Sequence, residues 1–302
     1  MKRCISTPVL VITMLILVNA GQQSQAQFAA EIVSYNPGTT PVNGFTTALA
    51  ALGEPERFTG EGVFPGIVSP FNPPYLPSDI VSIGEGGQIT LRLSNYAIPQ
   101  SGGLPEIGIF ENVGLVATDF PNVRAGSPAT AFGIDSANVE VSDNGTHWVS
   151  LGSVTVDVPS NGYTDLSDPF SATPGSALSD FQQPFVGNLN SFDGLAYSDS
   201  ANFDMLDLLA GSGGGKWIDI SSAGFSQVGY IRFSVPDDGN PNVGQNFELD
   251  AVSISHVALG ATTVPEPTML SLVGWAIVPL VRRRRRSASY RHAADDSTKL
   301  QP

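Results

Sequence analysis

Val139-Glu140-Val141-Ser142-Asp143-Asn144-Gly145-Thr146-His147-Trp148-Val149-Ser150-Leu151 is the stretch that decides the fold. Apolar and polar residues alternate up to Ser142. Asn144-Gly145 follows, and a second run begins at Thr146. Asn-Gly between alternating runs is the strongest short hairpin signal, because both residues tolerate positive φ. Asn144-Gly145-Thr146 also has the form of a glycosylation sequon and is read as the turn. The same period of two recurs in Ile89-Thr90-Leu91-Arg92-Leu93, Val154-Thr155-Val156-Asp157-Val158 and Ile231-Arg232-Phe233-Ser234-Val235. A period of two means one buried and one wet face, as in antiparallel sheets. Thr90 and Arg92 are expected on the wet side.

Phe247-Glu248-Leu249-Asp250-Ala251 alternates too, but Val252-Ser253-Ile254-Ser255 continues one residue out of phase. Such a slip predicts a bulge, or burial on both faces. Helix is scarce. Thr47 to Leu52, closed by Gly53, and Phe203 to Ala210, capped by Asn202, each offer a turn or two. Gly60–Asp79 and Ser160–Ser200 carry no period and are expected to be long loops. Thirty-two Gly and 23 Pro are spread along the chain, and no repeat of solenoid or propeller length appears. The expectation is an all-β fold, a jelly-roll-like antiparallel β-sandwich over residues 27–263. Two smaller domains meeting near Ser160 are the alternative division.

Both ends differ from this middle. Lys2 and Arg3 precede an apolar run, Val9 to Val18, and small residues at Ala20, Gly21, Ser24 and Ala26. That is the order of a secretory signal peptide, residues 1–26, cut after Ala26 or after Ala20. The only cysteine, Cys4, lies inside it, so no disulfide or Cys-based metal site is expected beyond it. At the other end Met269 to Val281 is apolar, and Arg282, Arg283, Arg284, Arg285 and Arg286 follow at once. An apolar run closed by arginines fits a short transmembrane helix with a cytoplasmic stop-transfer cluster. Residues 287–302 are polar and expected to be a disordered tail. Residues 27–263 hold five basic against 25 acidic side chains, a net of −20. A surface of that sign repels nucleic acid and anionic membrane, so no nucleic-acid partner is expected.

Val264-Pro265-Glu266-Pro267 precedes the apolar run. Pro-Glu-Pro, a short apolar segment and an arginine cluster, in that order over residues 264–286, resemble the PEP-CTERM sorting signal. The resemblance implies an exosortase-type membrane processing enzyme as partner. It also implies export across the inner membrane, at least transient membrane anchoring, and then a place at the cell surface or in an exopolysaccharide matrix. Members of that family usually end within a few residues of the arginines, whereas this sequence continues to Pro302. The two prolines also prevent a helix from running through Glu266, which leaves an extended segment that a processing enzyme can reach.

Val139 to Trp148, Tyr230-Ile231-Arg232-Phe233 and Phe247 to Val252 resemble discoidin-type, galactose-binding-like jelly rolls. Phe110-Glu111-Asn112, with Phe247 to Val252, is similar to sandwich ectodomains found ahead of PEP-CTERM signals. These motifs cover about a quarter of the region and imply a fold more than a ligand.

Chemistry is sparse. His147, His256 and His292 have no second histidine at ligand spacing and read as ordinary residues. No phosphate loop, zinc-protease helix or nucleophile elbow occurs, so the chain is expected not to be an enzyme. A glycosidase pair would need two facing carboxylates. Calcium is the sharper expectation. Asp237-Asp238-Gly239-Asn240-Pro241-Asn242 concentrates oxygen ligands just before Glu248 and Asp250. The competing reading is a solvated acidic turn. The jelly-roll resemblance implies a structural calcium near the loops and adds Glu111 as a ligand. Trp148, Trp217, Tyr75 and Tyr163 are the aromatics that could stack on a sugar, with core packing the plainer reading for Trp148. The sequence therefore points to an exported surface or matrix protein that is structural or binds exopolysaccharide. The alternatives are a calcium-dependent lectin-like module and, behind it, a carbohydrate-active enzyme.

Overall fold

Alternating segments need partners on both edges and a cover on the apolar face, and two antiparallel sheets supply both. The computed structural model describes residues 27–59, 66–120, 123–237, 239 and 245–264. In chain order its strands are β1 (Ala29–Asn36), β2 (Val81–Gly84), β3 (Gln88–Ala97), β4 (Ile107–Glu111), β5 (Gly114–Leu115) and β6 (Ala131–Phe132). They continue with β7 (Asp135–Ser142), β8 (Val149–Val156), β9 (Lys216–Ile218), β10 (Val228–Ser234), β11 (Asn246–Ile254) and β12 (Leu259–Thr263). The larger sheet runs β1-β3-β10-β7-β8, with β12 also on β3. The smaller runs β2-β11-β4-β9, and β5 pairs with β6 alone. Every one of these strand pairs is antiparallel.

The main core lies between the two sheets, which makes the fold an all-β sandwich. Leu91, Val139, Ile231 and Phe233 from the larger sheet pack with Ile83, Ile109, Phe247 and Leu249 from the smaller. Phe233 and Phe247 stack across the gap with ring centroids 5.3 Å apart. Each fully buried side chain of this size contributes about 1.5–3 kcal/mol. On the outer face of the larger sheet, charges pair across strands. Glu31 of β1 faces Arg92 of β3, and Arg232 of β10 faces Glu140 of β7. This face is drier than alternation predicts. Thr90 is only 1% exposed, its hydroxyl accepts from Arg232 Nε at 3.3 Å, and the Arg232 guanidinium lies over the Trp148 ring.

The hairpin β7–β8 forms, but its connection is wider than the sequence suggests. It spans residues 143–148, and only Gly145 has positive φ. Side chains build the turn. Ser142 Oγ accepts from the Asn144 and Gly145 amides, and Asn144 Oδ1 accepts from the Thr146 and His147 amides. The phase slip in β11 is a register shift between Leu249 and Ala251, and it lies where the strand is buried on both faces.

Residues 157–215 have little regular structure, yet they carry a second core. Phe181, Phe185, Phe192, Tyr197 and Met205 pack with Phe110 and Trp217 of the smaller sheet. Gly108 makes room here: a Cβ at that position would lie 2.8 Å from the Trp217 indole. The helical turns are shorter than expected. Ala48–Ala51 is a 3-10 turn without a side-chain cap, and α1 (Met205–Leu209) is capped by Asp204 rather than Asn202. Asp204 Oδ1 accepts from the Asp207 amide at 2.9 Å. Among the described residues no helix is long and apolar enough to cross a membrane. The expected signal peptide, the apolar run and arginines Arg282–Arg286, and the tail 287–302 lie outside the described residues.

Candidate metal centre

The six residues expected to gather around calcium are divided. Asp237 is exposed beyond β10, where its Oδ1 accepts from the Gly239 amide at 2.8 Å. Asp238 and Asn240 lie outside the described residues. Glu248 and Asp250, two residues apart on β11, join different groups of acids.

Asp250 is buried beside Glu56 and Asp79. Burial and the Glu56 and Asp79 charges push its carboxyl well above the usual range, partly offset by the Glu56 amide, which donates to Oδ2 at 3.3 Å. Asp79 is itself occupied, accepting from the Leu76 amide and the Ser78 hydroxyl.

Glu248 meets Glu111, the acid that the resemblance supplied. Strand alternation places Glu111 in one row with Ile107 and Ile109, facing the inter-sheet core. β4 ends there, so Leu249 of β11 has Glu111 opposite it and Glu248 has no β4 partner. Glu111 is 1% exposed. Both of its carboxylate oxygens are buried without a hydrogen-bond partner. A buried unpartnered carboxylate is costly, because its charge has lost water and gained nothing. Burial accordingly pushes the Glu111 carboxyl well above its usual range, and the charges of Asp135 and Glu248 add to that. The backbone N–H of Glu248 lies close enough to offset part of the shift, but not in hydrogen-bonding geometry.

Two further groups complete the cluster. Asp135 opens β7, and burial and then the Glu248 charge raise its carboxyl from 3.8 to about 6. Asn112 donates from Nδ2 to Glu248 Oε2, which leaves Asn112 Oδ1 buried and unpartnered. That oxygen packs against Gly133, where a Cβ would lie 2.6 Å from it. Gly133 has φ +67°, a conformation glycine adopts freely, and it brings the chain past Asn112 into β7. The Glu248 carboxyl is also raised by burial, with the Asn112 amide holding it partly down. Among the described residues no three acidic or histidine side chains are close enough to enclose a metal ion by themselves.

Sequence reasoning missed Asp135, Asn112, Glu56 and Asp79. The one local signal was Glu111-Asn112, polar residues set between Phe110 and Val113 in an otherwise apolar run. The aromatic candidates do not form a platform. Trp217 and Tyr163 are buried, Tyr75 is half-buried, and the Arg232 guanidinium covers Trp148 at 3.8 Å from the ring centroid. His147 sits edge-on to Phe225, and His256 contacts Asp180 at 2.9 Å. No protein-family profile matches the chain, and no curated protein matches its sequence.

Proposed function

We propose that this chain is an exported, non-enzymatic surface protein, with a galactose-binding-like jelly roll presented outside the inner membrane. A cleaved signal peptide over residues 1–26 starts export. Pro265-Glu266-Pro267, the apolar run and Arg282–Arg286 hold the chain in the membrane until an exosortase-type enzyme processes it. The sandwich then serves in the envelope or its exopolysaccharide as a structural or polysaccharide-contacting module. Its net charge of −20 favours solubility there and disfavours nucleic acid.

The observation that carries this reading is the seat of Val264. This last residue before Pro265 is 2% exposed and packs with Tyr96 and Tyr230. Arg92 Nη1 donates to its carbonyl at 3.0 Å, and Glu31 holds Arg92 from the other side. The folded unit is therefore tied down up to the residue where the motif begins. A cut within or beyond Pro265-Glu266-Pro267 would release the sandwich with every described strand intact.

Cell fractionation in a host carrying an exosortase tests it. The wild-type chain is expected at the surface or in the medium. A variant with Pro265, Glu266 and Pro267 replaced by alanine is expected to stay with the inner membrane. The same distribution for both would contradict sorting through this motif.

A further inference from the structure

We propose that Asn43-Gly44 is a self-modifying site: in the folded chain Asn43 deamidates without an enzyme, through a succinimide ring, and the fold restrains the other Asn-Gly pairs from doing the same. The site is independent of the sorting reading and of the acidic clusters. Asn-Gly occurs three times, at Asn43-Gly44, Asn144-Gly145 and Asn161-Gly162. In this reaction the glycine amide nitrogen attacks the asparagine side-chain carbon next to it, an intramolecular step that depends on orientation. Glycine has no side chain to hinder the approach. The sequence makes the three pairs alike, and the fold makes them different.

Asn161 is 1% exposed, its Nδ2 donates to the Tyr163 carbonyl at 2.8 Å, and the Gly162 amide donates to the Val68 carbonyl at 2.8 Å. Little water reaches it, and both reacting groups are tied. Asn144 is exposed, but its Oδ1 accepts from the Thr146 and His147 amides, and the Gly145 amide donates to Ser142 Oγ at 2.9 Å. Those bonds must open before the ring can close, which slows it. Asn43 and Gly44 are both exposed at the tip of the turn 42–45. Among the described residues no hydrogen bond holds the Asn43 side chain or the Gly44 amide. A Cβ at Gly44 would meet nothing within 4 Å, so the tip has room to rearrange. The flanks are anchored all the same. The Phe45 amide donates to the Val42 carbonyl at 3.1 Å, the Val42 amide to Ser82 Oγ at 2.9 Å, and the Ser82 amide to the Phe45 carbonyl at 2.7 Å. The tip can therefore change while the fold stays.

The Gly44 nitrogen gives its proton to hydroxide and bonds to Asn43 Cγ. The Cγ–Nδ2 bond breaks, and ammonia leaves with a proton from water. Water then opens the ring at either carbonyl, which leaves aspartate or isoaspartate and one more negative charge at this turn.

Ageing of the purified full-length chain in mildly alkaline, heavy-oxygen water tests this. Peptide mass spectrometry then reads the label at each pair. In the folded chain Asn43 is expected to react about tenfold or more faster than Asn144 and Asn161, because only they must first break hydrogen bonds. In urea the three rates should converge to within about threefold, since no fold then distinguishes them. Asn43→Gln should remove the acidic isoform that native isoelectric focusing resolves. A folded-state rate at Asn43 no higher than at Asn144 would overturn the inference. So would the same ranking with the same spread in urea, or an acidic isoform that persists in Asn43→Gln.

Discussion

Glu111 shows how one side chain can set the pH response of a whole fold. Its carboxyl, with those of Asp135, Glu248 and Asp250, is raised in the folded chain, chiefly by burial. A group whose pKa is raised by folding binds its proton more tightly in the native state. Its stabilising effect is complete below the ordinary carboxyl range and is lost as pH rises through the folded value. For Asp135 that window runs from 3.8 to about 6, and for Glu111 and Asp250 it opens upward from the ordinary carboxyl range in the same way, because burial raises both well above it. In EGTA, the full chain should therefore unfold at a higher temperature at pH 5 than at pH 7.5. Glu111→Gln should flatten the difference, because it removes one of the carboxyls that burial raises. Melting curves across this range check the sign. A Tm that climbs steadily from pH 5 to 7.5 in EGTA would mean that the acids are better solvated than their burial indicates.

At the scale of elements, the β7–β8 connection rests on side chains more than on backbone conformation. Asn144 Oδ1 takes hydrogen bonds from the Thr146 and His147 amides and the Thr146 hydroxyl. Asn144→Ala should cost about 1–2 kcal/mol, measured by urea unfolding, since it strips acceptors from an ordered turn. Asn144→Asp, which keeps an acceptor, should cost less. The strands around this turn were legible, because Ile89–Leu93, Val139–Ser142 and Ile231–Val235 each have one face against the core. Even the β11 bulge was written in the shift of phase after Ala251. The turn geometry was not, because Asn-Gly permits a tight turn without requiring one, and Ser142 supplies a competing acceptor. The second core was also hidden. Phe181, Phe185, Phe192 and Tyr197 are buried from a segment with no strand or helix period.

At the scale of the whole molecule, long-range pairing decides which acids meet. Glu248 and Asp250 look like one ligand set in the sequence. The bulge and the end of β4 send Glu248 to Glu111 and Asp135, and Asp250 to Glu56 and Asp79. No local pattern encodes that division, because Glu111 lies over 130 residues from Glu248 in the chain. The same scale governs the proposed function. The larger sheet takes in β12 up to Thr263, and Arg92 anchors Val264, so the described fold is held in place up to the residue before Pro265. Intact-mass and terminal-peptide mass spectrometry of the mature protein, taken from an exosortase-carrying host, tests that account most directly. The account predicts a first residue at Gln27 or Gly21, a last residue at or near Pro267, and every residue to Val264 retained. A mature chain that still carries Met1, or that runs unbroken through Arg286, would contradict it.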